Sequence, residues 1–243
     1  MITKKKLDFI IPVYHEDENI LSTLNNILKI NAFSYNILIC YDYDDDPTID
    51  VIKNYLGDHN LIFFIKNKKF GAHGAIMTGI ENSISDYVLV IPADDDYNIK
   101  NIPDMIENIQ IQNAEILCPD RFMKGGKIVN GPKLKFLLCR IVNLTLYMFT
   151  DINTLDATNG FRLFSRKVID TIKIESSLGF TYSLEYLIKS IELDYKVIRF
   201  PALWIERKKG KSRFRIMHWS TSYLKWYFYC FKIRIQKKND KKN

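Results

Sequence analysis

The sequence predicts an α/β fold, a mostly parallel sheet flanked by helices on both faces. Three observations carry that expectation. Short apolar runs alternate with longer amphipathic ones through the first half of the chain. Acidic residues gather directly after two of the apolar runs, at the strand ends where such sheets bind ligands. Gly and Pro make up only 17 of 243 residues while 47% are hydrophobic, which excludes collagen-like, low-complexity and disordered classes. The length suits one large or two small domains.

The elements follow in order. Leu7 to Val13 reads as the first strand and Asp17 to Ile30 as an amphipathic helix. Further strand-like runs lie at Asn36 to Tyr41, Leu61 to Ile65, Asp86 to Pro92 and Ala114 to Pro119. Between them, Thr48 to Tyr55, Ala72 to Ser83 and Asn101 to Gln112 have helical patterning. After Pro132 a long helical pattern, Leu134 to Phe149, precedes a polar stretch from Asp151 to Gly160. A helix near Ser183 to Leu193, a strand near Lys196 to Pro201 and a basic loop from Arg207 to Arg215 come next. The segment from His218 to Ile235 interleaves seven aromatic residues with Lys225, Lys232 and Arg234. It suits either a membrane interface, with aromatics at headgroup depth, or a terminal helix packing its rings on the body. Neither a repeat nor a linker is evident.

The formal charge of +7 is unevenly spread. Residues 205–243 hold 13 Lys or Arg against Glu206 and Asp240, a local +11, whereas residues 1–204 hold 22 basic and 26 acidic residues, a net −4. A basic end on a mildly acidic body points to an anionic partner, nucleic acid or membrane. The longest stretch without a charged residue is 12 residues, Ile30 to Tyr41, shorter than the roughly 18 a membrane-spanning helix needs. Met1 to Lys6 is basic, but the apolar run behind it is too short for a signal peptide, so a cytosolic protein is expected. Cys40, Cys118, Cys139 and Cys230 form no paired motif, which argues against zinc and for reduced, mostly buried thiols.

Asp42, Asp44, Asp45 and Asp46 follow the second strand, and Asp94, Asp95 and Asp96 follow the fourth. Adjacent carboxylates repel one another unless solvent or a cation relieves them. Hard ions such as Mg²⁺ or Mn²⁺ take oxygen ligands together with substrate phosphates. Gly71, Gly74 and Gly79 lie at the turn into a helix, a spacing that is neither GxGxxG nor a Walker loop and by itself reads as a tight turn. Arg121 to Arg140 is a 20-residue segment without an acid, and with Arg207 to Arg215 it could hold phosphates. No GxSxG elbow is present, and His15, His59, His73 and His218 fit no triad pattern.

The motif order resembles the inverting GT-A glycosyltransferases of family 2, most closely the dolichyl-phosphate mannose synthase type. Pro12-Val13-Tyr14-His15-Glu16-Asp17-Glu18-Asn19 resembles P-x-Y-N-E-x-E-N, and Tyr41 to Thr48 resembles the D-D-G-S-x-D-G-T loop, with Tyr41, Tyr43 and Pro47 departing from it. Pro92-Ala93-Asp94 falls on D-A-D, with its first Asp absent, and Asp96 falls on a Gln that also faces the metal. Asp120-Arg121-Phe122 with Gly125-Gly126 resembles S-R-Y-x-x-G-G, and Asp156 to Arg162 resembles D-x-T-S-G-F-R of the polyprenyl-phosphate branch. Gly179-Phe180 with Glu185, and Arg207 to Arg213, resemble G-F-x(n)-E and R-x-x-G-x-S-K.

The resemblance implies a GT-A domain over residues 1–215 and a basic aromatic tail, residues 216–243, of amphipathic interfacial helices. The implied reaction moves a sugar from a nucleoside-diphosphate sugar to a polyprenyl phosphate at the inner face of a membrane, peripherally bound. In that reading Pro12, Tyr14, Glu16, Asp42 and Gly71 hold the nucleotide, and Asp94 and Asp96 hold Mg²⁺ or Mn²⁺. Arg207 assists the leaving diphosphate, and Arg121, Lys135 and Arg213 meet the acceptor phosphate. A phosphate monoester is largely ionised at neutral pH and needs no protein base to attack. The alternative is a family 2 enzyme acting on a glycan or lipid hydroxyl, which needs a base such as Asp120 or Glu185. A noncatalytic binder of anionic surfaces leaves the acidic strand ends unexplained, so nucleic acid is not expected as a partner.

Overall fold

The first strand, β1 (Leu7–Val13), lies near the centre of a seven-stranded sheet and sends alternate side chains to opposite faces. Leu7, Phe9, Ile11 and Val13 enter one apolar cluster and Ile10 enters the other, so both faces must be covered. The computed structural model describes residues 2–57, 59–206 and 216–240, without the side chains at 133, 135, 216–220 and 240. The chain continues through α1 (Ile20–Ile27), β2 (Tyr35–Tyr41), α2 (Pro47–Leu56), β3 (Ile62–Lys66), α3 (Gly71–Asn82) and β4 (Tyr87–Val90). It then forms α4 (Ile102–Ile111), β5 (Ile116–Asp120), β6 (Lys127–Val129), α5 (Lys133–Phe149), β7 (Arg162–Ser165) and α6 (Arg166–Thr171). It ends with α7 (Thr181–Glu192), β8 (Val197–Pro201), β9 (Leu203–Ile205) and α8 (Ile216–Asp240).

Strand order is β3-β2-β1-β4-β7-β5-β8, with β6 and β9 forming a separate two-stranded ribbon. The chain winds from β1 outward to β3 and then returns to β4 on the other side of β1. The carboxyl ends of β1 and β4 therefore flank the switch point, where loops diverge and leave a crevice. Helices α1, α2 and α4 cover one face with Leu24, Ile27, Ile49, Ile52, Met105 and Ile109, and α3, α6 and α7 cover the other. At the start of α2, Asp46 caps the helix by accepting from the Thr48 N–H at 2.9 Å, and Pro47 occupies the first turn.

One element differs from the sequence reading, and another takes one of the two forms that reading left open. β7 runs antiparallel between β4 and β5, although the sequence around it has no strand-like run. It spans four residues, opens on an arginine and follows a polar loop, so it carries too little periodicity to register. The basic aromatic segment is part of α8, which is not an appendage: Trp226, Cys230 and Ile233 are buried in the same cluster as α7. Its outward residues are Leu224, Phe228 and Ile235. Among the described side chains the larger exposed apolar surface belongs to α5, through Leu134, Leu137, Leu138, Ile141, Met148 and Phe149. Among the described residues no helix is long and apolar enough to cross a membrane.

The contact of α3 with the sheet depends on Gly79, where a Cβ would lie 2.5 Å from Ile10 Cγ2 and 2.9 Å from Cys40 Sγ. Helix propensity favours Ala over Gly by about 1 kcal/mol, but overpacking a dense core costs about 1–3 kcal/mol. Gly79→Ala is therefore expected to lower the thermal midpoint and Gly79→Val to lower it further, measured by calorimetry.

His73, also on α3, is buried, with Nε2 3.3 Å from Ser176 Oγ. Burial pulls its pKa from 6.5 down to about 4, against the nearby Glu185 charge that favours protonation. The unfolded chain thus binds a proton that the folded chain refuses, and stability falls as pH drops from about 6.5 toward 4. The expected loss is on the order of 3 kcal/mol at the acidic end. Melting the wild type and His73→Gln across that range checks it, with the variant showing the flatter profile.

Candidate active site

Three loops meet on the β2 side of the switch point. After β1, His15 adopts a left-handed backbone conformation (φ 52°), and its N–H donates to both Asp46 carboxylate oxygens at 3.0 and 3.2 Å. The Glu16 N–H donates to Thr48 Oγ1 at 2.8 Å, and Glu16 Oε2 accepts from Asn19. After β2, Asp42 accepts from Asn67 Nδ2 at 2.7 Å and from the Gly71 N–H at 2.9 Å. Gly71 has φ +88°, a conformation that a side chain would strain, so glycine is required for its N–H to reach Asp42. Pro12 pairs with Cys40 at the ends of the first two strands, and Tyr14 stands half exposed above them.

The acidic loop after β4 does not present its carboxylates uniformly. Asp94 and Asp95 line a cavity, whereas Asp96 accepts from Ser22 Oγ of α1 at 2.5 Å. Asp95 is buried and accepts from Asn98 at 2.8 and 2.9 Å, and burial pushes its pKa up to about 7. Asn98 also exchanges hydrogen bonds with the Leu203 backbone, fastening the loop to β9. The sequence reading named Asp95 in the acidic cluster without giving it a role, and it missed Asn98. Their spacing of three, which lets a side chain cap its own turn, was the available signal.

Among the described residues no three His, Cys, Asp or Glu side chains are grouped closely enough to hold a metal by themselves. The oxygen donors at the switch point suit instead a hard divalent ion that needs only one or two protein carboxylates beside a substrate's phosphates. Asp94 lines the cavity at the switch point. Asp96, expected as its companion, is turned to α1.

The cavity measures about 440 Å³ and runs from Asp94, Asp95 and Tyr97 between α5 and α8. Phe136, Leu138 and Val142 of α5, Tyr223, Leu224 and Tyr227 of α8, and Trp204 form its mainly apolar walls. The 158–161 loop closes one side, where Asn143 of α5 donates to Thr158 Oγ1 at 3.1 Å. Arg121 reaches the cavity with its charge already answered: Nε and Nη2 donate to Asp156 at 2.6 and 2.7 Å. Lys135 lies on α5 with its side chain outside the described atoms, and Arg207 and Arg213 lie outside the described residues.

Neither carboxylate expected to serve as a base for a hydroxyl acceptor reaches this cavity. Asp120 is fully buried and accepts from the N–H groups of Phe122, Met123 and Leu155 and from Thr154 Oγ1. Glu185 is fully buried and accepts from the Glu175 and Ser176 N–H groups and from Lys189. Saturated carboxylates of this kind hold loops together.

Solved structures place this architecture in a class. Glucosyl-3-phosphoglycerate synthase from Mycobacterium tuberculosis, crystallised with Mn²⁺, UDP-glucose and phosphoglyceric acid, superposes with a TM-score of 0.69 at 11% identity, covering 94% of this chain and 80% of its own. TarS residues 1–349 from S. aureus, in complex with UDP-GlcNAc, gives a TM-score of 0.57 at 15% identity over 84% and 60%. The shared fold is GT-A, a mostly parallel sheet between helical layers. The model for glycosyl transferase family 2 matches residues 8–173, and the chain belongs to that family. A dolichol-phosphate mannosyltransferase from Pyrococcus furiosus is 26% identical over 217 residues, 86% of this chain and 59% of the relative. An undecaprenyl-phosphate mannosyltransferase from Micrococcus luteus is 22% identical over 210 residues, covering 84% and 85%. The chain thus spans about three-fifths of the length of the archaeal relative.

The Arg121–Asp156 pair gives a direct test of this wall. Asp156→Ala leaves a buried guanidinium uncompensated, and the expected cost is about 3–5 kcal/mol, read as a lowered thermal midpoint. Asp156→Asn keeps acceptor capacity and is expected to cost less.

Proposed function

We propose that the protein is a glycosyltransferase that moves a sugar, with inversion, from a nucleoside-diphosphate sugar to a polyprenyl phosphate. The observation that carries this reading is the cavity, which joins carboxylates at the switch point to apolar walls from α5 and α8. A phosphorylated lipid has that same polarity, a charged head continuing into hydrocarbon. The relatives named for dolichol- and undecaprenyl-phosphate transfer support the acceptor class, and the neighbours solved with UDP-sugars support the donor class.

In this reading the nucleoside lies over Pro12, Tyr14, Glu16 and Asp42, with the Gly71 loop held by Asp42. Asp94 orients the diphosphate end across the crevice. A divalent cation bound there, Mg²⁺ or Mn²⁺, supplies Lewis-acid stabilisation of the leaving diphosphate. The lipid phosphate, ionised near pH 7, attacks the anomeric carbon as the bond to the diphosphate breaks, and no protein base is required. The positions of Asp120 and Glu185 favour this acceptor over a hydroxyl, because neither carboxylate is available to take a proton. Arg207 and Arg213 are assigned to the leaving diphosphate and the acceptor phosphate by sequence alone.

The same reading places the enzyme peripherally on a membrane. The apolar face of α5, together with Leu224 and Phe228 of α8, is the surface that would enter the headgroup region. The basic residues of α8 add roughly 1 kcal/mol each against anionic lipid. This shifts the main contact from the tail, whose Trp226 is buried, to α5.

Incubation with a panel of nucleotide sugars, polyprenyl phosphates and Mg²⁺ or Mn²⁺ tests the reaction. A phosphate-linked lipid product is expected, and Asp94→Ala is expected to reduce its rate by about 10²-fold or more. Product formed only with hydroxyl acceptors would overturn the assignment. Flotation with anionic liposomes tests the surface: Leu137→Glu with Ile141→Glu is expected to weaken binding more than removal of residues 236–243.

A further inference from the structure

An aromatic cluster stands exposed on the β2 side of the switch point, where Tyr14 is joined by two rings that have no role so far, Tyr43 and Phe70. Tyr43 follows Asp42, and Phe70 precedes Gly71. Their rings stack with centroids 5.1 Å apart and an interplanar angle of 14°. Tyr14 lies 6.1 Å from Tyr43 at 47° and meets His15 edge-on at 4.7 Å. Exposure is 42% for Tyr14, 45% for Tyr43 and 70% for Phe70. Three adjoining rings left in solvent on neighbouring loops forgo burial that would stabilise the fold.

The loops that carry these rings are fixed from beneath. Asp42 binds the Gly71 N–H, drawing the Tyr43 and Phe70 positions together, and Asp46 binds the His15 N–H, anchoring the loop of Tyr14. The flat faces are thus set in place before any ligand arrives, which lowers the ordering cost of binding. Tyr43 also stands where the D-D-G-S pattern has glycine, so the stack is a feature of this chain's own sequence.

We propose that Tyr43 and Phe70, with Tyr14 beside them, form the wall on which the base of the donor nucleotide stacks. This rests on the reading of the protein as a nucleotide-sugar transferase. The position selects the base over the sugar or the lipid: the rings cap β1, β2 and β3, while Asp94 and the apolar cavity lie across the crevice beyond β4. A nucleoside diphosphate extending between them puts its flat, polarisable end on the rings and its phosphates toward Asp94. Every base offers a π-face, so the wall contributes affinity, while hydrogen bonds at the ring edges decide which base is preferred.

Isothermal titration of the full chain with UDP, GDP and inorganic pyrophosphate, each with Mg²⁺, tests the assignment. Phe70→Ala and Tyr43→Ala are expected to raise the Kd for the preferred nucleotide about tenfold. Tyr43→Phe and Phe70→Tyr are expected to stay near wild type, and pyrophosphate affinity is expected to be unchanged in all four. Nucleotide affinity unaffected by both alanine variants overturns the proposal. So does a parallel loss of pyrophosphate affinity, which would make the stack a brace for the loops. Wild-type protein that binds neither nucleotide overturns the transferase reading and this proposal together.

Discussion

A guanidinium sealed inside the protein sets the geometry of the second half. Arg162 opens β7 with no solvent exposure, and its side chain donates to the carbonyls of Asp156, Ala157 and Asn159 and to Ser183 Oγ. A charge so far from water persists only when hydrogen-bonded and electrically balanced. Two buried carboxylates, Asp120 and Asp156, share this region with two guanidiniums, Arg121 and Arg162, so formal charge cancels. The arrangement clamps the 156–160 loop between β7 and α7. That loop then supplies a wall of the cavity and the acidic partner that holds Arg121 in place.

The cavity side and the β2 side of the switch point are built on different principles. On the cavity side, ionic groups are paired with one another and the surfaces left open are apolar. On the β2 side, carboxylates are spent on backbone N–H groups, Asp46 on His15 and Asp42 on Gly71, and the surfaces left open are aromatic. Between them Asp94 and Asp95 stand at the divergence of β1 and β4. In the proposed reaction this separation suits a donor that is flat at one end and anionic in the middle, meeting an acceptor that is anionic at one end and oily at the other.

Much of the sheet was legible in the sequence because its strands are buried on both faces and read as uninterrupted apolar runs. The strands of the first half all lie within a residue or two of their expected bounds. β7 was not legible, since its defining residue is a charged one whose burial depends on carbonyls contributed by the preceding loop. The carboxylates show the same division. Composition located Asp94, Asp95 and Asp96 at one turn, but three adjacent side chains point different ways, and only the packing of α1 against the turn decides that Asp96 goes to Ser22.

The aromatic and basic content of the last segment was plain from the sequence. Whether its rings met protein or lipid was undecided, because a membrane interface and a protein core both reward the same rings. The tertiary structure seats Trp226, Cys230 and Ile233 on α7 and leaves α5 as the more apolar exposed helix. By itself, then, the sequence determined the α/β rhythm, the strand-end placement of its acids and the family, all of which follow from local periodicity and ordered motifs. Only the folded chain decided which carboxylates line the cavity and which are saturated braces, because a side chain's partners come from segments dozens of residues away.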